Sequence, residues 1–119
     1  MTKDERSWSV RLTSPAEADF QNIVAWTLEQ FGDRQAIIYA ETLSAALNAL
    51  TAGPTTAGVK ERKDIGKGLF TLHVARSDRK GRHLVLFRVG ADRERSIEVL
   101  RVLHDAMDMG SHVPAAGDV

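Results

Sequence analysis

The order of apolar and polar residues along the chain predicts its elements. Trp8-Ser9-Val10-Arg11-Leu12 alternates, the period of a half-buried strand. Ser14-Pro15-Ala16-Glu17 then places a serine at a cap, proline at the first helical position and glutamate three residues after the cap, so a helix is predicted from Pro15. To about Phe31, the residues Ala16, Phe20, Ile23, Val24, Thr27 and Phe31 recur at three- and four-residue intervals and predict one buried stripe. Gly32 suits a left-handed stop, and Asp33 can cap a second helix at once, along which Ala36, Ala40, Leu43, Leu47 and Leu50 keep helical spacing. Helices joined this tightly form an antiparallel hairpin.

Ala52-Gly53-Pro54 ends the second helix, and Thr51 to Lys67 reads as a long connection punctuated by Gly58 and Gly66. Three strands are predicted after it: Leu69 to Ala75, His83 to Val89, and Ser96 to Leu103. Apolar residues occupy both faces of the first two. A helical hairpin covers only one face, so the other face or an edge is expected to be covered by something else or to stay open to a protein partner. The reading is an α+β domain, β-α-α-β-β-β, with the helical hairpin packed on a small antiparallel sheet that is mixed at its first strand. It is expected to span residues 8–113, with Met1 to Ser7 and Pro114 to Val119 as flexible ends.

Composition adds limits. A chain of 119 residues fits one domain, and 43 % apolar with 27 % charged residues is ordinary for a globular protein. With no cysteine there is neither a disulfide framework nor a thiolate zinc site. The first residues lack the apolar core of a signal peptide and no apolar run reaches the length of a membrane span, so a cytoplasmic location is expected, with no membrane partner. Net charge is zero, yet residues 60–101 carry 12 Lys and Arg against 6 Asp and Glu, between acidic ends. That segment is expected to form a basic surface for an acidic partner, or a solvated face of scattered ion pairs.

The candidate chemistry gathers late in the chain, where Ile97-Glu98-Val99-Leu100-Arg101-Val102-Leu103 stops alternating and gives way to His104-Asp105-Ala106-Met107-Asp108 and His112. Strict alternation puts Arg101 and Leu103 on one face and Val102 and His104 on the other, so Arg101 and His104 are not expected to converge unless a bulge intervenes. A lone histidine at a strand end is more often structural than catalytic. His104, Asp105, Asp108 and His112 match no compact zinc spacing, and no metal or cofactor is expected. Trp26 and Tyr39 are the large amphipathic side chains of the hairpin; packing is the commoner use of such residues and a partner anchor the alternative.

The element order resembles the ParE branch of the ParE/RelE toxin superfamily, and so do particular residues. These are Ala18-Asp19, Ile23, Phe31-Gly32, Gln35-Ala36, Tyr39, Leu43 and Leu47, then Pro54 to Gly58, Gly68-Leu69, Arg101-Val102-Leu103-His104, Met107-Asp108 and His112. The resemblance implies a type II toxin that inhibits DNA gyrase without being an enzyme and is held in a hetero-oligomer by a ParD-like antitoxin, with no sequence-specific DNA binding of its own. It assigns Arg101, His104, Met107, Asp108 and His112 to the target, and Trp26, Tyr39, Arg76, Leu84, Leu86 and Arg88 to the antitoxin. The superfamily also contains RelE-like endoribonucleases acting on messenger RNA at the ribosome. For that alternative the candidates are His83, Arg88, Arg101 and His104, with His73, Arg76 and Arg82 as further groups; it is weakened because the only tyrosine, Tyr39, lies in the hairpin and not near the C-terminus. A third reading is a non-toxic module that serves only in an antitoxin complex. Removing residues from Asp105 onward is expected to abolish toxicity and spare antitoxin binding.

Overall fold

The structure is a computed structural model that describes residues 7–90 and 95–107. The expected frayed ends, apart from Ser7, fall outside those residues, as do Asp108 and His112. Strand β1 (Ser9–Leu12) leads into helices α1 (Ser14–Phe31) and α2 (Asp33–Ala49), and a single 3-10 turn, Leu50–Ala52, closes α2. Strands β2 (Lys60–Glu61), β3 (Phe70–His73), β4 (His83–Val89) and β5 (Ser96–His104) come next. The sheet order is β1-β5-β4-β3-β2, with β1 parallel to β5 and every other pair antiparallel. The fold is therefore the expected α+β arrangement with one strand more, since Lys60 and Glu61 of the long connection pair with Thr71 and Phe70. Two consecutive charged residues carry no apolar period, which is why this edge strand is invisible in the pattern.

The residue capping α1 is Thr13, not Ser14. Thr13 is extended, its Oγ1 accepts the Ala16 N–H at 3.3 Å, and the same hydroxyl shares its proton between the Val99 and Leu100 carbonyls at 3.0 Å each. Thr13 thus caps the helix and ties it to β5, which a helix-only reading of the cap does not anticipate. Between the helices Gly32 has φ 92° and ψ 177°, a conformation that only glycine adopts readily. Phe31 departs from the expected stripe: it is 63 % exposed, the last residue of α1 just before the chain turns at Gly32.

The main core lies between the hairpin and the sheet and joins Ala16, Leu43, Ala46 and Leu50 to Leu72, Val74, Val85, Phe87, Ile97, Val99 and Val102. The opposite sheet face does not lie open. Leu69, Leu84, Leu86, Leu100 and Leu103 form a second buried cluster, with Ile65 of the long connection packed on it. That connection returns across its own sheet, so the expected need for a partner to cover this face falls away.

One irregularity shapes β5. Phe87 pairs with Val99 but Leu86 pairs with Arg101, leaving Leu100 as an extra residue opposite β4. Ile97 and Val99 face the main core before it, and Val102 returns to that core after it, while Leu100 and Leu103 join the second cluster. Without the extra residue, alternation from Ile97 would send Val102 and His104 away from the helices. The bulge is held from α1: the Asp19 carboxylate accepts Arg101 Nε at 2.7 Å, Arg101 Nη2 at 2.9 Å and the Val102 N–H at 2.9 Å. With the Asp19 side chain only 14 % exposed, this ion pair is closer to buried than to surface behaviour. Asp19→Ala is expected to lower the unfolding free energy by about 2–4 kcal/mol in urea titration. Asp19→Asn should lose less, because it still accepts the Val102 N–H; equal losses would show that the backbone contact contributes nothing.

Candidate functional site

The bulge brings His104, the last residue of β5, directly opposite His83, the first of β4. Their rings meet edge to face with centroids 5.3 Å apart. Tyr39 arrives from α2, and its hydroxyl lies 2.6 Å from His83 Nδ1 while accepting the Arg82 N–H at 3.1 Å. Gly81 makes that approach possible, since a Cβ there would sit 2.7 Å from the Tyr39 hydroxyl and 2.6 Å from Val74. With its oxygen accepting from Arg82, Tyr39 donates to His83 Nδ1, and a neutral His83 then carries its proton on Nε2. His104 Nδ1 likewise accepts the Ala106 N–H at 3.1 Å, so a neutral His104 also carries its proton on Nε2.

A second set of bonds closes over the strand ends. Asp105 accepts His73 Nε2 at 2.9 Å and Arg82 Nε at 3.3 Å, and its own N–H donates to the Arg82 carbonyl at 2.8 Å. These contacts latch the first residues after β5 onto the ends of β3 and β4. The His73 hydrogen bond, followed by that of Arg82, holds the Asp105 carboxyl down at about 2. Burial pushes the Tyr39 hydroxyl above its ordinary value, against the opposing Arg82 N–H, so the phenol stays protonated at neutral pH. Burial also depresses His83, and the neighbouring His104 adds to it.

Beside the histidines, Trp26 is 56 % exposed and meets Phe31 edge to face at 5.8 Å. A cleft of about 340 Å³ opens between Trp26, Phe31, Gln35, Tyr39 and the two histidines, and a second of about 360 Å³ lies past Trp26 along Asn22 and Ile23. Of the packing uses weighed for Trp26, a core position does not describe its exposure, and its contact with Phe31 is packing at an edge; Tyr39 is half-buried and hydrogen-bonded.

The other residues singled out in the sequence scatter. Arg88 pairs with Glu98 at 2.7 Å near the far end of β4, Arg101 is held by Asp19, and Arg76 donates to the Ala57 carbonyl at 3.1 Å. Of the set named for RNA cleavage, His83 and His104 come together and Arg88 and Arg101 do not join them. Arg101 nevertheless reaches the helical side, through the bulge. Leu84 and Leu86 are buried in the second cluster, and Met107 is 40 % exposed just beyond the latch. Asp19 is the residue that sequence reasoning misses as part of the site, although a signal exists: it sits between Ala16 and Ile23 on the buried stripe, where a carboxylate needs a partner. Nothing in the spacing announces the pairing of Asp105 with His73, since it depends on how two distant strand ends meet.

A model of the family described as the ParE toxin of the type II toxin-antitoxin system, parDE, matches residues 10–109. Toxin ParE1 of Caulobacter vibrioides is 29 % identical over 103 residues, covering 87 % of this chain and 95 % of that protein. A structure of a chromosomal ParDE toxin–antitoxin system from P. aeruginosa superposes with a TM-score of 0.67 at 19 % identity, over 83 % of this chain and 97 % of that one. The toxin–antitoxin complex RelBE2 from Mycobacterium tuberculosis gives 0.56 at 22 % identity, over 82 % and 98 %. At those identities the two structures establish a shared fold, and they come from both branches of it.

The depressed His83 sets a pH dependence. The folded ring binds its proton less readily than the unfolded one, so below about pH 6.5 the unfolded chain takes up the proton first and stability falls until the folded ring also protonates. Urea midpoints should therefore drop between about pH 7.5 and about pH 5.5, and His83→Gln should flatten that drop. An unchanged slope in the variant would assign the effect elsewhere.

Proposed function

The chain belongs to the ParE toxin family of type II toxin–antitoxin systems, and on that footing we propose that it inhibits DNA gyrase and is held inactive by a ParD-like antitoxin. The observation that favours gyrase over RNA cleavage is the dispersal of the cations. Cleaving a phosphodiester calls for an acid or base beside a cation free to neutralise the phosphate. Here Arg88 and Arg101 are engaged by Glu98 and Asp19 away from the histidine pair, and the adjacent Arg82 is bonded to Asp105. A RelE-like endoribonuclease is the second reading, favoured by one feature, the contact of Tyr39, His83 and His104.

The antitoxin surface we propose is the outer face of the hairpin, where Leu28, Ile37 and Ile38 are exposed near Trp26 and Phe31. An amphipathic helix or extended segment would bury these residues, while acidic side chains met Arg76; Arg88, paired with Glu98 on the sheet face of Leu84 and Leu86, is left out of this surface. Tyr39 sits at the border of this face; Leu84 and Leu86, already buried, are left out of it. The proposed contact with the target is the end of β5 together with the tail beyond it, His104 and Met107 continuing into Asp108 and His112. Among the described residues no helix is long and apolar enough to cross a membrane.

The latch at Asp105 changes where the tail should be cut. Truncation after Met107 leaves the His73–Asp105–Arg82 bonds in place. Full-length protein should inhibit gyrase supercoiling and arrest growth, with relief by the antitoxin, and the truncated form should lose inhibition while still binding the antitoxin. Failure of the full-length protein to inhibit gyrase at several-fold molar excess, together with cleavage of ribosome-bound message, would replace this reading with the second. Growth unaffected by the chain alone would favour an antitoxin-bound regulatory module.

A further inference from the structure

The residues that follow β5 are held more firmly than the end of a strand requires. The strand stops at His104, opposite His83, yet the next three N–H groups are all bonded. Asp105 donates to the Arg82 carbonyl at 2.8 Å, Ala106 to His104 Nδ1 at 3.1 Å and Met107 to the His104 carbonyl at 3.0 Å. A segment leaving a domain ordinarily frays unless something ties it down.

The Asp105 side chain makes the longest of these ties. In the sheet β4 lies between β5 and β3, and the Asp105 carboxylate reaches past it to accept His73 Nε2 on β3 at 2.9 Å. Sheet pairing does not call for that contact, since His73 already pairs with Leu84 and β5 with β4. His73 is oriented for it. Its Nδ1 accepts the Ala75 N–H at 3.0 Å, so a neutral ring carries its proton on Nε2, facing Asp105, and donates without needing a charge. The Arg82 contacts are longer, 3.3 Å from Nε to each carboxylate oxygen, and that side chain is 70 % exposed against 37 % for His73. An exposed ion pair contributes little, which leaves His73 as the main anchor of Asp105.

We propose that His73 is a positioning residue for the tail: through Asp105 it fixes the direction in which the chain leaves the sheet toward its target. This rests on the reading that the tail contacts the target, and adds a residue on another strand that need not touch that target. A root already fixed before binding does not have to be ordered during it, and the tail binds more tightly for that reason. His73, grouped by the nuclease alternative with acids and bases, serves here as an oriented donor to a carboxylate.

Amide hydrogen exchange in the purified full-length chain is the first test. His73→Ala should speed exchange at Asp105, Ala106 and Met107, although none of the three loses its own acceptor, and leave Val102 at its wild-type rate. A general loss of stability would speed all four. The Asp105 carboxyl should rise from about 2 in the same variant, read by nuclear magnetic resonance titration. His73→Gln, which keeps an N–H donor close to the place of Nε2, should restore both. Growth arrest and gyrase inhibition are then measured on these variants. His73→Ala should need roughly tenfold more protein for half-maximal inhibition, His73→Gln should stay near wild type, and antitoxin affinity should change in neither. Asp105→Ala repeats the test from the other partner if His73→Ala does not fold. Wild-type exchange at residues 105–107 in His73→Ala, or freed residues with undiminished growth arrest, would overturn the proposal. A wild-type protein that spares gyrase but arrests growth in a His73-dependent way would end the gyrase reading and uphold the role of His73.

Discussion

The arrangement of this protein's functional end depends on one extra residue in its last strand and on the carboxylate that holds the strand there. Leu100 has no counterpart on β4, so Val102, Leu103 and His104 take the opposite face from the one that regular alternation dictates. A bulge interrupts the ladder and leaves backbone groups to be satisfied by something else. Helix α1 supplies the partners: Thr13 for the Val99 and Leu100 carbonyls, and Asp19 for the Val102 N–H and the Arg101 guanidinium. The first helix therefore sets the path of the last strand, over a sequence separation of more than eighty residues.

The site is a consequence of that constraint. Because Val102 returns to the main core, His104 comes to the helical side and meets His83, which Tyr39 fixes from α2. Asp105 bonds His73 and Arg82 at the same end, and Trp26 and Phe31 are exposed beside the two histidines. One end of the molecule thus collects histidines, an exposed aromatic pair and Asp105. The arginines of β4 and β5 serve instead in ion pairs that hold strands and helix together.

Much of the architecture is legible in the sequence because it rests on local rules. The helical hairpin can be read from residue spacing and Gly32, and the three long strands from their apolar runs. The features that escape are governed by contacts between distant segments. Thr13 displaces Ser14 as the cap because it also bonds β5, and Lys60–Glu61 becomes a strand because β3 presents an edge to it. The second sheet face is met by Ile65, from a connection whose path no periodicity encodes. At the site, His83 and His104 stand out as candidates, but their contact rests on the bulge, which alternation can only allow for as an exception. Trp26 is legible as a large amphipathic side chain and not as an exposed one, since exposure depends on where the hairpin ends relative to the sheet.

The central claim, that the extra residue turns the end of β5 toward the helices, can be tested without perturbing the chain. Nuclear Overhauser contacts of the His104 ring in the isotopically labelled, unmodified protein report which face it occupies. The account predicts contacts from that ring to His83, Trp26 and Ile23. Contacts instead to Leu84, Leu86 or Ile65, with none to Trp26, would place His104 on the opposite face and contradict it.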